Sequence, residues 1–159
     1  MKILFLILAL TVATASYALE PIKDEVHQVL FKVDGDFNDV KENVGLAIEN
    51  QGLVINYTAT VGDMLERTGN DLGLTDHTYM AADVIEFCSA ALTRKMVAAD
   101  PSNLVFCPYG IHLYELRKEP GVIYVGYKRP QLVGNDESKA ALESIEELLS
   151  TIVNEALAW

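Results

Sequence analysis

Two cysteines, Cys88 and Cys107, and three histidines, His27, His77 and His112, are the side chains of this chain best suited to redox, metal or nucleophilic chemistry. A thioredoxin-like centre needs its thiols two residues apart at a helix start, where the helix dipole lowers one thiol's pKa and the second resolves the mixed disulfide. Cys88 and Cys107 are 19 positions apart. Cys88 does precede an expected helix beginning near Ser89, so a redox role stands as the alternative to a structural bridge. A closed zinc site takes four ligands, and Cys88, Cys107 and His112 supply at most three, without motif spacing. His77 and Met80 follow Asp76 in a loop, an imidazole and thioether of the kind haem iron or copper accepts. The sequence has no Cys-x-x-Cys-His for covalent haem attachment, no Gly-rich phosphate loop, no Gly-x-Ser-x-Gly and no His-Glu-x-x-His. No cofactor is therefore expected, with noncovalent haem or a metal at His77, Met80 or His112 as the alternative. His27 reads as a surface residue.

Lys and Arg number 12 against 23 Asp and Glu, for a formal charge of −11. Such a surface repels phosphate backbones and forgoes the counterion release on which nucleic-acid binding rests. Half of the 159 residues are hydrophobic, with a mean hydropathy of +0.18, which suits one packed core and one domain. It is the reverse of the low-hydrophobicity composition of disorder.

The first 18 residues have another purpose. Lys2 precedes an apolar run from Ile3 to Ala13, and small residues follow at Ser16 and Ala18, the pattern of a secretory signal cleaved after Ala18. The run is shorter than the roughly 20 residues needed to cross hydrocarbon. The expected organisation is a signal peptide over 1–18 and a single domain over 19–159, periplasmic or secreted, with no membrane span after cleavage. In an oxidising compartment, the sole two cysteines of a small domain favour a bridge.

The elements that must position these residues follow from hydrophobic periodicity. Val26 to Val33 alternates as a strand. Asp36 is placed to cap a helix bearing Phe37, Val40, Val44, Ala47 and Ile48, and Gly52 can adopt the left-handed conformation that ends it. Leu53 to Val61 returns to period two, with Leu53, Ile55, Tyr57, Ala59 and Val61 predicted on one side. Asp63 and Glu66 resemble a capping box for a short helix from Met64 to about Asn70. Ala81 to Phe87 reads as a strand, and Ser89 caps a helix carrying Leu92, Met96 and Val97 that Asp100-Pro101 stops. Leu104 to Phe106 and Ile111 to Leu116 are predicted extended, interrupted by a turn at Cys107-Pro108-Tyr109-Gly110. Val122 to Tyr127 completes a hairpin across Glu119-Pro120-Gly121. A final helix from about Glu137 to Leu157 carries a stripe of Leu142, Ile145, Leu148, Leu149, Ile152, Val153 and Ala156, with Glu143, Glu146 and Glu147 facing water.

The run EFCSAALTRKMVAADPSNLVFCPYGIHLYELRKEPGVIYVGYKRP resembles the second half of the domain-of-unknown-function family numbered 302. The likeness extends over most of the mature chain: a first strand and helix, a strand led by Gln51-Gly52-Leu53, a helix ending in Asp100-Pro101, a Cys-Pro step into a strand, and a Tyr-x-x-Pro exit from Tyr127 to Pro130. It implies an α+β, TBP-like fold, one antiparallel sheet with helices packed on one face and a long C-terminal helix, and no established reaction. Many members carry Gly-Asn-Pro where Cys88-Ser89-Ala90 stands, and an aliphatic residue where Cys107 stands. Both departures are Cys, which supports their being a pair.

On that fold Ile111 and Leu113 fit the covered face, and His112, Tyr114 and Tyr124 fall on the open one, the expected place for a small ligand, a protein partner or a second copy of the chain. The reverse assignment would make His112 a satisfied core histidine. A non-catalytic exported binding module is the leading expectation. A haem- or metal-carrying accessory and an uncharacterised enzyme are the alternatives. If the pairing is correct, mass spectrometry of exported protein finds Cys88 and Cys107 protected from alkylation until a reductant is added. Two freely alkylated thiols would reject it.

Overall fold

A computed structural model of the chain describes residues 19–74 and 77–158. The expected signal segment, its cleavage point after Ala18, and Asp76 lie outside them. Among the described residues six strands form one antiparallel sheet: β1 (Lys23–Asp24), β2 (Gln28–Asp34), β3 (Val54–Thr60), β4 (Tyr79–Cys88), β5 (Tyr109–Leu116) and β6 (Val122–Lys128), in the spatial order β1-β2-β6-β5-β4-β3. The helices are α1 (Phe37–Asn50), α2 (Val61–Asp71), α3 (Ala90–Ala99) and α4 (Asp136–Ala156), with a 3-10 helix over Pro101–Phe106. No helix among the described residues is long and apolar enough to cross a membrane.

The two central strands, β5 and β6, set the layers. Ile111, Leu113, Ile123 and Val125 are each at most 1% exposed and point to the face that α1, α3 and α4 cover. Asp36 caps α1 by accepting hydrogen bonds from the Asn38 and Asp39 amides at 2.8 and 3.3 Å, and Gly52 follows the helix at a φ of 71°. Phe37, Val40, Val44, Ala47 and Ile48 are buried, as their spacing predicts. Asn135 caps α4 through the Ser138 amide at 2.8 Å, and Leu142, Ile145, Ile152 and Val153 are fully buried against the sheet. A polar strut crosses this layer: the Asn103 side-chain amide donates to the Met96 carbonyl at 3.1 Å and to Ser138 Oγ at 2.9 Å, tying the 3-10 helix to α3 and α4. Asp83, also buried on this face, is paired with Lys41 of α1.

Cys88 at the end of β4 and Cys107 just before β5 are joined, with Cα atoms 6.3 Å apart. The bond closes a loop containing α3 and the 3-10 helix. In the chain-entropy account a loop of about this length is worth roughly 3 kcal/mol.

Several local expectations differ from what forms. Leu104 to Phe106 is 3-10 helix rather than extended, because Pro101 starts a new turn and the Asp100 carboxylate caps it through the Ser102 amide at 2.8 Å. β3 does not keep Leu53, Ile55, Tyr57, Ala59 and Val61 on one side. A bulge between Ile55 and Tyr57 shifts the register, so Ile55 faces the core layer and Tyr57 is exposed. The capping box of Asp63 and Glu66 does not form: α2 begins at Val61, directly after β3, with Thr60 at the cap position and no side-chain cap bond. The short strand β1 was not expected at all.

The acidic face of α4 needs correction too. Glu143 and Glu147 are exposed, but the Glu146 side chain is 25% exposed and accepts a 2.6 Å hydrogen bond from Arg129 Nε. The same guanidinium pairs with Asp24 and donates to the Glu25 carbonyl at 2.7 Å, clasping β1 to α4. Leu149→Ala should therefore cost about 2–5 kcal/mol through lost transfer energy and a cavity. Glu146→Ala should cost about 1–3 kcal/mol through the lost charge-assisted bond, and Glu143→Ala less than about 0.5 kcal/mol. Denaturant unfolding of the three variants checks the order; equal costs at Leu149 and Glu143 would mean that α4 is rotated.

Candidate functional site

Side chains that alternate with the core residues emerge on the second face of the sheet. His112 pairs across β6 with Gly126 and across β4 with Val84; Tyr114 pairs with Tyr124 and Ala82. His112, Tyr114 and Tyr124 thus share the face opposite Ile111 and Leu113, but they do not form one cluster of equivalent groups.

Tyr114 and Tyr124 stack, their rings 4.8 Å apart and 8° from parallel, and Tyr79 meets Tyr114 edge-on at 5.4 Å. Lys32 Nζ lies 5.5 Å from the centre of the Tyr124 ring and 3.5 Å from Glu119 Oε2, while the Tyr124 hydroxyl donates to the same carboxylate. Tyr124 is only 9% exposed. Its ring and its hydroxyl are already occupied, so this stack braces the β5–β6 hairpin. The bond to Glu119 raises the Tyr124 phenol above its ordinary pKa and, seen from the other partner, holds the Glu119 carboxyl below its own. Both move away from neutrality.

His112 has different surroundings. A strand glycine marks a close approach, and Gly126 is one: a Cβ there would stand 2.3 Å from the Val29 carbonyl oxygen and 3.1 Å from His112 Nε2. The missing side chain leaves room for the imidazole beside the β6 backbone. Burial lowers the His112 pKa from its ordinary 6.5, favouring the neutral ring. The imidazole borders a cavity of about 260 Å³, whose other walls include Val84, Gly110, Val105, Phe106, Pro108 and Lys128. The 3-10 helix supplies the wall that strand pairing alone would not place there.

The remaining candidates are dispersed. His77 lines a second cavity of about 260 Å³ beside α2, together with Tyr79, whereas Met80 is 49% exposed and does not line it. Cys88 and Cys107 are spent on each other. His27 is exposed, 3.3 Å from Glu25. No group of three or more His, Cys, Asp or Glu suited to a metal occurs among the described residues. Sequence reasoning missed Lys32, Glu119 and Tyr79, whose pairings cross strands, and Val84, Phe106 and Lys128. Only Gly126, a glycine inside a strand opposite the histidine, carried a signal that could have located the cavity.

One antiparallel sheet, helices α1, α3 and α4 over one face, and a second face with a half-buried histidine define an α+β domain with an asymmetric sheet. The chain belongs to the family described as "Domain of unknown function DUF302", whose family model matches residues 11–156. Among solved structures it is similar to an uncharacterized conserved DUF302 protein from Bacillus stearothermophilus, with a TM-score of 0.66 and 20% identity over 80% of this chain and 97% of that one. At that identity the likeness carries the fold alone. No curated protein matches the chain.

Two outcomes follow from the His112–Gly126 contact. Gly126→Ala should cost at least the upper part of the roughly 1–3 kcal/mol typical of overpacking, because the nearest obstacle is backbone. The depressed histidine makes stability pH-dependent: above pH 6.5 both states hold the ring neutral, and as pH falls below 6.5 the unfolded chain gains a proton that the folded one resists. Unfolding free energy should thus decline on acidification through this range, and less steeply in His112→Gln. Equal slopes would mean that the imidazole is freely hydrated.

Proposed function

We propose that this chain is an exported, non-catalytic binding module, and that its binding site is the His112 end of the second sheet face. The observation that carries the reading is the union, at one place, of a half-buried imidazole and a mostly apolar cavity of about 260 Å³. Burial favours the neutral ring, which can both donate and accept a hydrogen bond. On this face Glu119 and Tyr124 are bonded to each other and displaced in opposite directions from neutral pH, which suits bracing better than proton transfer. Export is supported by the signal-like pattern of residues 1–18 and by the pairing of the chain's two cysteines. A haem macrocycle asks for more room than this cavity has, so a small ligand is the reading advanced; a second copy of the chain is the competing occupant of the face.

Protein recovered from its own export route should begin at Leu19 and be colourless. A Soret band would replace this reading with the cofactor-carrying one. A variant combining His112→Ala, Tyr114→Ala and Tyr124→Ala should remain cooperatively folded at reduced stability and lose binding of small fragments, followed by ligand-observed NMR, or lose self-association, followed by sedimentation. A folded triple variant that retains every such activity would move the site to the cavity lined by His77.

A further inference from the structure

The cavity beside His112 runs against the overall charge of the chain. The chain carries 23 carboxylates and a formal charge of −11. Yet the described residues lining this cavity include no Asp or Glu, while Lys128 and Arg129 both contribute to it. The two cations are not equivalent. Arg129 is committed to Glu146, Asp24 and the Glu25 carbonyl. Lys128 is exposed, and no described carboxylate lies within ion-pairing distance of its ammonium. Around it the walls are apolar: Val84, Phe106 and Pro108 line the hollow, and Val105 at its rim is 80% exposed, a large aliphatic group left facing water.

We infer that this cavity takes a small organic acid: a monocyclic or short-chain apolar body seated among Val84, Phe106 and Pro108, with its carboxylate on the Lys128 ammonium and a hydrogen bond from His112. The inference rests on the reading of this face as the binding site and adds the ligand's class. Size argues for a small body, since about 260 Å³ lies just below the roughly 300 Å³ at which pockets for drug-sized ligands begin. Charge argues for an anion. A neutral ligand would gain only a hydrogen bond from Lys128 where a carboxylate gains a stronger, charge-assisted one, and a cation would meet that ammonium with no carboxylate in the lining to offset it. Glu86 stands on this face opposite Gly110 but does not border the cavity, so Lys128 is the charge in the lining that no described carboxylate pairs. A neutral imidazole N–H can donate to a carboxylate oxygen without demanding a second charge.

The test uses the mature chain, residues 19–159, with isotope-labelled histidine and three probes of nearly equal shape: benzoate, benzyl alcohol and benzylamine. Benzoate should move the His112 ring resonances and bind at least tenfold more tightly than the alcohol, with benzylamine weakest. Lys128→Gln, an exposed change that the fold tolerates, should weaken benzoate about tenfold and leave the alcohol unchanged. Val84→Phe should fill the hollow and abolish binding of all three. Should that variant fail to fold, Val105→Asp, at an 80% exposed position on the rim, is expected to weaken benzoate alone by adding a repelling charge. Equal binding of benzoate and benzyl alcohol, or a Lys128→Gln variant that binds benzoate as the parent does, overturns the acid while leaving the cavity as a site. Failure of all three probes overturns the inference by itself; the reading of the face then still stands or falls on the triple variant.

Discussion

Everything in the molecule leans on the strict alternation of side chains along β5 and β6, the two strands at the centre of the sheet. Because a strand sends successive side chains to opposite faces, Ile111 and Leu113 commit one face to α1, α3 and α4, and the same geometry delivers His112 and Tyr114 to the other. A slip of one residue in this register would exchange the two sets. It would bury an imidazole and a phenol beneath α4 and expose the aliphatic core. The large apolar cost of that exchange holds the second face in place, so the candidate site is positioned by residues that never touch it.

The second face is itself divided by what its side chains do with each other. At the hairpin end the tyrosines, Lys32 and Glu119 satisfy one another through stacking, a cation over a ring and a shared carboxylate. At the other end Gly126 withholds a side chain, and His112 has a hollow beside it instead of a polar partner. Self-satisfaction and vacancy are the physical difference between a brace and a site. The disulfide serves the second of these, since the loop it closes contains the 3-10 helix that walls the cavity with Val105 and Phe106.

Charge adds a second asymmetry. Where a carboxylate is drawn inward it has a partner: Asp83 meets Lys41, Glu146 meets Arg129, and Glu115 accepts a 2.7 Å hydrogen bond from the Gly121 amide. Buried carboxylates without such partners are costly. Lys128 is the counterexample in sign, a cation at a concave site with no described carboxylate within ion-pairing distance.

Much of this was legible in the residues themselves. Period two along Ile111 to Leu116 and Val122 to Tyr127, the 3.6-residue stripe of the last helix, and the caps Asp36 and Ser89 are local signals, and the structure forms those strands, that helix and those caps because nothing remote competes with them. The pairing of Cys88 with Cys107 was readable from the cysteine count and the signal-like pattern of residues 1–18. What lay beyond the sequence depended on partners distant along the chain: the bulge in β3, which strand pairing with β4 imposes, and the drawing of Glu146 out of its solvated face by Arg129. The cavity belongs to this second group. Its walls come from β4, β5, β6, α4 and the 3-10 helix, and a hollow has no residue of its own to announce it, so only the tertiary structure, by bringing Val84, Phe106, Leu149 and Lys128 around His112, decides that it exists.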